Sequence, residues 1–220
     1  MKTKFMKKIF LLSVLTLGFG ISGQAYADYS DAFKNGIMQE LLNITSSSQN
    51  NSYGKSSLTF TQDGSTDGLE TLVASYPKSQ HKEVRASLKQ LYEAFPQVAR
   101  SVGIPTNDLS SAVAAVIAGA YMAYNNISLN DDYVKPMANQ FKAHLENSRF
   151  FDGMSNREKK SMYDQMVMVG MTLAVGQSLN QSNPNSQTTA QLREAGKQIL
   201  ETILKVDASR VRITSQGISY

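Results

Sequence analysis

Apolar positions along the chain change their spacing several times, and each change marks an element. Within residues 28–44, Phe33, Ile37, Leu41 and Ile44 recur every three or four residues, the spacing of one helix face. Over residues 45–67 that pattern disappears. Ser, Thr, Asn, Gln and Gly dominate, and Leu58-Thr59-Phe60 is the one candidate for extended structure. A stretch so polar buries little and is expected to be a flexible connector. Helical signals return with Asp67 and Glu70, which resemble a capping box in which Asp replaces the usual Ser or Thr. Pro77 predicts a stop near Tyr76, because the residue before a proline avoids helical geometry. Val84, Leu88, Leu91 and Phe95 form the stripe of a helix starting near Ser79, and Pro96 is expected to end it.

Two later segments are apolar on every face. Residues 112–124 follow a helix start at Thr106-Asn107-Asp108, and thirteen residues are too few to cross a bilayer. They predict a buried central helix in which Ala112, Ala115, Ala118 and Gly119 let a neighbour come close. Residues 166–175 repeat this character apart from Thr172, kept slim by Gly170, with Gly176 just beyond; their helix is capped by Ser155 and Glu158 and extends to about Gln181. The two segments are expected to pack together as the core pair. Between them, a helix over about 132–148 carries Tyr133, Met137, Phe141, His144 and Leu145 on one side; Pro136 implies either a start near Lys135 or a kink. Thr188 and Gln191 predict the cap of a last helix to Leu204, with Leu192, Ala195, Ile199 and Ile203 inward. After a turn at Asp207-Ala208-Ser209, Val211 and Ile213 alternate with Arg210 and Arg212, as in a short strand. The pattern as a whole predicts an all-α bundle of six to seven helices, with two small-residue apolar core helices and a short extended C-terminal segment.

The first 27 residues read differently. Lys2, Lys4, Lys7 and Lys8 precede an apolar stretch over 9–21, and Ala25-Tyr26-Ala27 supplies small residues at the positions a signal peptidase reads. Cleavage is expected after Ala27, with the product in the bacterial periplasm or the medium and no stable membrane span. The domain order is then a signal peptide (1–27), an N-terminal helix (28–44), the connector (45–67) and a helical domain (68–220). This changes the charge argument. The chain has 22 Lys and Arg against 18 Asp and Glu, and four of the cations but none of the acids lie in the signal. The exported chain balances at 18 against 18, so its net charge gives no general attraction to nucleic acid or anionic lipid. There is no cysteine, which excludes disulfides, thiolate metal sites and lipidation at an N-terminal Cys.

Three groups of residues resemble a known family. They are Thr106-Asn107-Asp108-Leu109 before an Ala-rich helix carrying Tyr121 and Tyr124, Met162-Tyr163 with the apolar run around Gly170, and the tail Leu204-Lys205-Val206-Asp207 with Arg210-Val211-Arg212-Ile213-Thr214 and Gly217. Together they resemble a bacterial family of secreted helical proteins known only as a domain of unknown function. The likeness covers about Gly68 to the C-terminus. It implies an envelope protein and carries no catalytic residue across.

Candidate chemistry is sparse. His81 and His144 are the two histidines; the second lies on its helix's apolar stripe, as a core or boundary residue would. Asp131-Asp132 are adjacent in sequence but diverge by about 100° on a helix, so they favour capping over a paired acid site. Asp63, Ser65 and Asp67 alternate oxygen side chains before Gly68, like the opening of a calcium loop, but Ala74 stands where that loop needs its bidentate Glu. No metal or cofactor is therefore expected. Met154, Met162, Met166, Met168 and Met171 either fill gaps in the core or line an adaptable groove. Phe150-Phe151, between two helices, is either a plug into the core or a contact patch. Arg210 and Arg212 share a face of the tail and are candidate interaction residues with the two phenylalanines.

These features favour a non-catalytic exported protein that binds another protein of the envelope, as an immunity protein, inhibitor or assembly factor does. The polar connector is a segment that a partner could order. Two alternatives remain open. One is an envelope hydrolase using scattered carboxylates such as Glu83, Glu93, Asp131 and Asp164, which needs two of them about 5–10 Å apart. The other is a carrier of a small apolar ligand, which needs a cavity of roughly 300 Å³ or more.

Overall fold

A computed structural model describes residues 57–148 and 151–220. The signal segment, residues 28–44, most of the polar connector and Phe150 lie outside the described residues.

Six α-helices are described: α1 (Asp67–Ala74), α2 (His81–Val102), α3 (Leu109–Asn125), α4 (Val134–Ser148), α5 (Asn156–Ser182) and α6 (Ser186–Leu204). Short 3-10 turns precede α2 and α4 at Lys78–Gln80 and Asp131–Tyr133. A third, at Ala208–Arg210, leads into an antiparallel hairpin of β1 (Arg212–Thr214) and β2 (Gly217–Ser219). The fold is all-α with a short extended C-terminal end, as the spacing predicts.

The two oily segments form the central pair. Val116 and Val169 are both 0% exposed, so neither faces solvent. The helices touch backbone to backbone: a Cβ on Gly119 would run into the Gly170 carbonyl, and one on Gly170 would lie 2.5 Å from the Ala115 carbonyl oxygen. Contact this close exists because the side-chain atoms that would prevent it are missing. The pair is parallel. Leu58 and Phe60 join the start of α3 to Tyr163 near the start of α5, and the Gln181 side chain donates to the Asn126 carbonyl at the other end. The α6 helix packs on the same seam, with Gly196 against the Ala120 carbonyl and the Tyr124 backbone.

Caps and breaks explain where the structure departs from expectation. Pro96 does not end α2. It removes one N–H, but Phe95 and Ala99 on either side are buried and carry the helix on to Gly103. Gly103 takes the left-handed conformation (φ 73°), and the Gly103 and Ile104 amides close the last turn on the Arg100 and Ala99 carbonyls. Asp67 and Glu70 form no capping box: Thr66 is the cap residue and makes no side-chain cap bond, while both acids are taken by arginines. The last helix is capped by Asn185, which accepts from the Thr188 amide, three residues earlier than predicted. The Ser155–Glu158 box forms as expected. Pro136 sits in the first turn of α4, where its missing N–H needs no partner, and Asn130 caps the 3-10 turn before it. The tail holds two strands, and the Gln140 side chain fixes it to α4 by accepting from the Ile218 amide.

The polar stretch over 57–66 also departs from expectation. Leu58 and Phe60 are 2% and 4% exposed, and Thr59 bridges to Asp108. This part of the connector is packed into the domain. Two alternating apolar residues suffice, because α3 and α5 supply the rest of the pocket.

Candidate functional site

The first two turns of α5 gather an unusual density of polar contacts around residues 57–67. Asn156 accepts from the Thr61 amide at 2.5 Å and donates to the Thr61 carbonyl at 2.8 Å. Lys159 donates to the Ser57 carbonyl and Lys160 to the Ser65 carbonyl, each at 2.7 Å. Arg157 grips both carboxylate oxygens of Asp67. One helix end thus clamps the strap that precedes α1.

The deepest part of the clamp is an ion pair. Lys160 and Asp164 have side chains 3% and 5% exposed, 2.5 Å apart at helical i,i+4 spacing. The Lys160 ammonium also lies 5.7 Å from the centre of the Tyr92 ring. Burial pushes the Asp164 carboxyl above the usual carboxylate range, with Lys160 and Tyr92 pulling the other way. Burial, then the Asp164 charge, raises the Tyr92 hydroxyl, and burial raises Tyr163. An ammonium closed over by its own carboxylate and a carbonyl is a structural tie, with no open side toward a substrate.

The same contacts engage the groups that resemble the opening of a calcium loop. Asp63 accepts from the Ser65 amide, Asp67 belongs to Arg157, and the Ser65 carbonyl belongs to Lys160. The cations of α5 stand where a metal would have to neutralise the loop. Among the described residues, no three His, Asp or Glu side chains are grouped to hold a metal ion.

A second feature is an apolar cleft between α2, α3 and α5, closed at one end by the turn before α4. Val98, Val102, Ala115 and Ala118 form its half-buried walls over Met122 and Met171. Its space is about 60 Å³, and the Asp131 carboxylate is an acid in its lining. Burial, and then the neighbouring Asp132, raises Asp131 above the usual carboxylate range.

The other sequence candidates fall in scattered places. Phe151 is 2% exposed and plugs the core, so it offers no contact patch. Arg210 and Arg212 are both exposed, but Arg212 turns back to donate to the Ser209 and Val211 carbonyls. His81 bonds the Tyr76 carbonyl at 2.8 Å. His144 is exposed, contrary to expectation: burial along α4 is deepest at Met137 and Ala138 and falls off toward its end. Met162, Met166, Met168 and Met171 are buried and Met154 is partly so, which is gap filling. Glu83 and Glu93 lie on the exposed face of α2, Asp131 in the cleft and Asp164 in the clamp, so these acids occupy different environments. The signal for the clamp was present as the i,i+4 pair Lys160 and Asp164, but such a pair reads as a solvated helix face.

The fold defines a helical-bundle domain built on a parallel, small-residue helix pair with a clamped N-terminal strap. The chain belongs to the family of unknown function (DUF6683), whose model matches residues 22–220. The match begins well upstream of Gly68 and takes in the strap and the segment before it. No curated protein and no solved structure matches the chain. No helix among the described residues is long and apolar enough to cross a membrane.

Proposed function

We propose that the chain is an exported, non-catalytic protein that acts by binding another protein of the bacterial envelope, as an immunity protein, inhibitor or assembly factor does. The observation that carries this reading is the commitment of four acids, the buried Asp164 and Asp108 among them, to structural contacts. Asp67 is held by Arg157, Glu70 by Arg85, Asp108 by Lys142 and Asp164 by Lys160. A glycan hydrolase needs two carboxylates across a shared cleft. The apolar cleft, at about 60 Å³, is also well short of the roughly 300 Å³ a small-molecule carrier requires. What remains to act is surface. Ile127 and Tyr220 are large hydrophobic side chains left exposed, at 39% and 55%.

Photo-crosslinking residues placed at Ile127 and Tyr220 test the reading in envelope extract, with Lys89 as a control position. A discrete protein adduct, reproducible and absent at Lys89, is the expected result. No adduct at either position, combined with release of glycan fragments by the purified protein, would overturn it.

A further inference from the structure

We propose that the groove holding residues 57–61 is a receiving site for an extended segment of a partner protein, and that this part of the strap occupies it as a built-in competitor. The proposal rests on the reading that the chain acts by binding another protein, and it names the kind of segment bound.

The strap is held as a peptide-binding groove holds its ligand. On one side, the start of α3 pairs with it along the backbone. The Leu109 amide donates to the Leu58 carbonyl at 3.0 Å, the Phe60 amide donates to the Asn107 carbonyl at 3.2 Å, and Thr59 bridges antiparallel to Asp108. On the other side, α5 supplies side chains. Asn156 engages both the amide and the carbonyl of Thr61, and Lys159 donates to the Ser57 carbonyl. These bonds all end on main-chain atoms of the strap, so they are indifferent to its sequence. Selection falls to two alternate side chains. Leu58 and Phe60 are buried, with the Phe60 ring centre 4.8 Å from that of Tyr163, while Ser57, Thr59 and Thr61 are exposed. Main-chain bonds for affinity and alternate pockets for specificity are how extended segments are recognised. The occupant is therefore an extended stretch with two apolar side chains two residues apart, the second aromatic.

The strap is also placed to give way. It joins α3 by an isolated bridge, without a continuous ladder, and Thr61 to Gly64, which lead toward α1, are exposed. The close contact of Gly119 with Gly170 lies further along α3 and α5, so the strap can leave without parting that seam. Tethered to α1, the strap competes at an effective concentration on the order of millimolar.

The probe is a fluorescein-labelled peptide of residues 57–63, added to the full chain and to its Phe60→Ala variant. The peptide is expected to bind the variant at least tenfold more tightly than the parent, because the variant's own strap competes poorly. The same peptide carrying Leu58→Asp and Phe60→Asp is expected to bind neither. Equal binding to parent and folded variant, or binding of the doubly substituted peptide, would overturn the proposal. A second measurement needs only the parent chain. At millimolar concentration, a peptide with photoreactive benzoylphenylalanine in place of Phe60 is expected to attach to the tryptic fragment containing Tyr163. No adduct there, or adducts spread over the chain, would count equally against it. A parent chain that runs as a dimer, with Phe60→Ala a monomer, would give the groove to a second copy and overturn the partner assignment. Failure of the peptide beside a protein adduct at Ile127 or Tyr220 would remove the groove and leave protein binding standing.

Discussion

The two halves of α5 are held by different physics. In the second half, Gly170 lies against the Ala115 and Val116 backbone, and Leu173, with Val169 at the midpoint, is all but inaccessible. Cohesion there depends on atoms that are absent, since any side chain at Gly170 separates two packed backbones. In the first half, Asn156, Arg157, Lys159 and Lys160 hold the strap by hydrogen bonds and ion pairs. Cohesion there depends on charges being paired. One helix thus joins a seam sensitive to volume and indifferent to pH to a clamp whose buried ion pair adds a sensitivity to pH.

Substitutions separate these regimes. The largest effect is expected from Lys160→Met, which strands the buried Asp164 carboxylate and should cost about 3–5 kcal/mol at neutral pH by chemical denaturation. The double change Lys160→Met with Asp164→Leu should recover most of that loss, because an apolar pair of similar size needs no partner. A double variant as unstable as the single one would show that the pair does more than neutralise itself. Gly170→Ala comes next, at about 1–3 kcal/mol, since overpacking a rigid seam outweighs the helix preference for Ala. A stabilised Gly170→Ala would mean the helices are further apart than described. Arg157→Ala should move the denaturation midpoint least, because the pair with Asp67 is exposed and screened, and the shift should fade in high salt.

The seam was far more legible in the sequence than the clamp. Residues 112–124 and 166–175 are apolar on all faces yet too short for a bilayer, which leaves a core helix as their place, and the alanines and glycines within them announce close approach. The clamp is built from residue types that usually face water. Lys159 and Lys160 look like a solvated turn, and Asp63, Ser65 and Asp67 look like the start of a metal loop, until folding brings α5 over them. Leu58 and Phe60 were visible as a two-residue alternation, but their burial is decided by α3 and α5, more than forty positions away. Pro96 misled for the same reason: tertiary contacts at Phe95 and Ala99 overrule a local helix breaker. The candidate site was less legible still. Arg212 is exposed but satisfied by its own backbone, Phe151 is buried, and the cleft has no sequence signature because its walls come from three helices.

The most direct test of the two-regime account is the pH dependence of stability for Lys160→Met and Gly170→Ala, each against the parent protein. Burial already holds Asp164 above the ordinary carboxylate range, and loss of Lys160 raises it further. A raised acid binds its proton more tightly in the folded state. The unfolded value is common to both proteins and cancels, so the Lys160→Met deficit is smallest below the parent's folded value, opens as pH rises through it, and is complete above the variant's still higher folded value. From pH 7 toward pH 4 the account predicts a shrinking deficit for Lys160→Met and a constant one for Gly170→Ala. Two deficits that change in parallel with pH would contradict it.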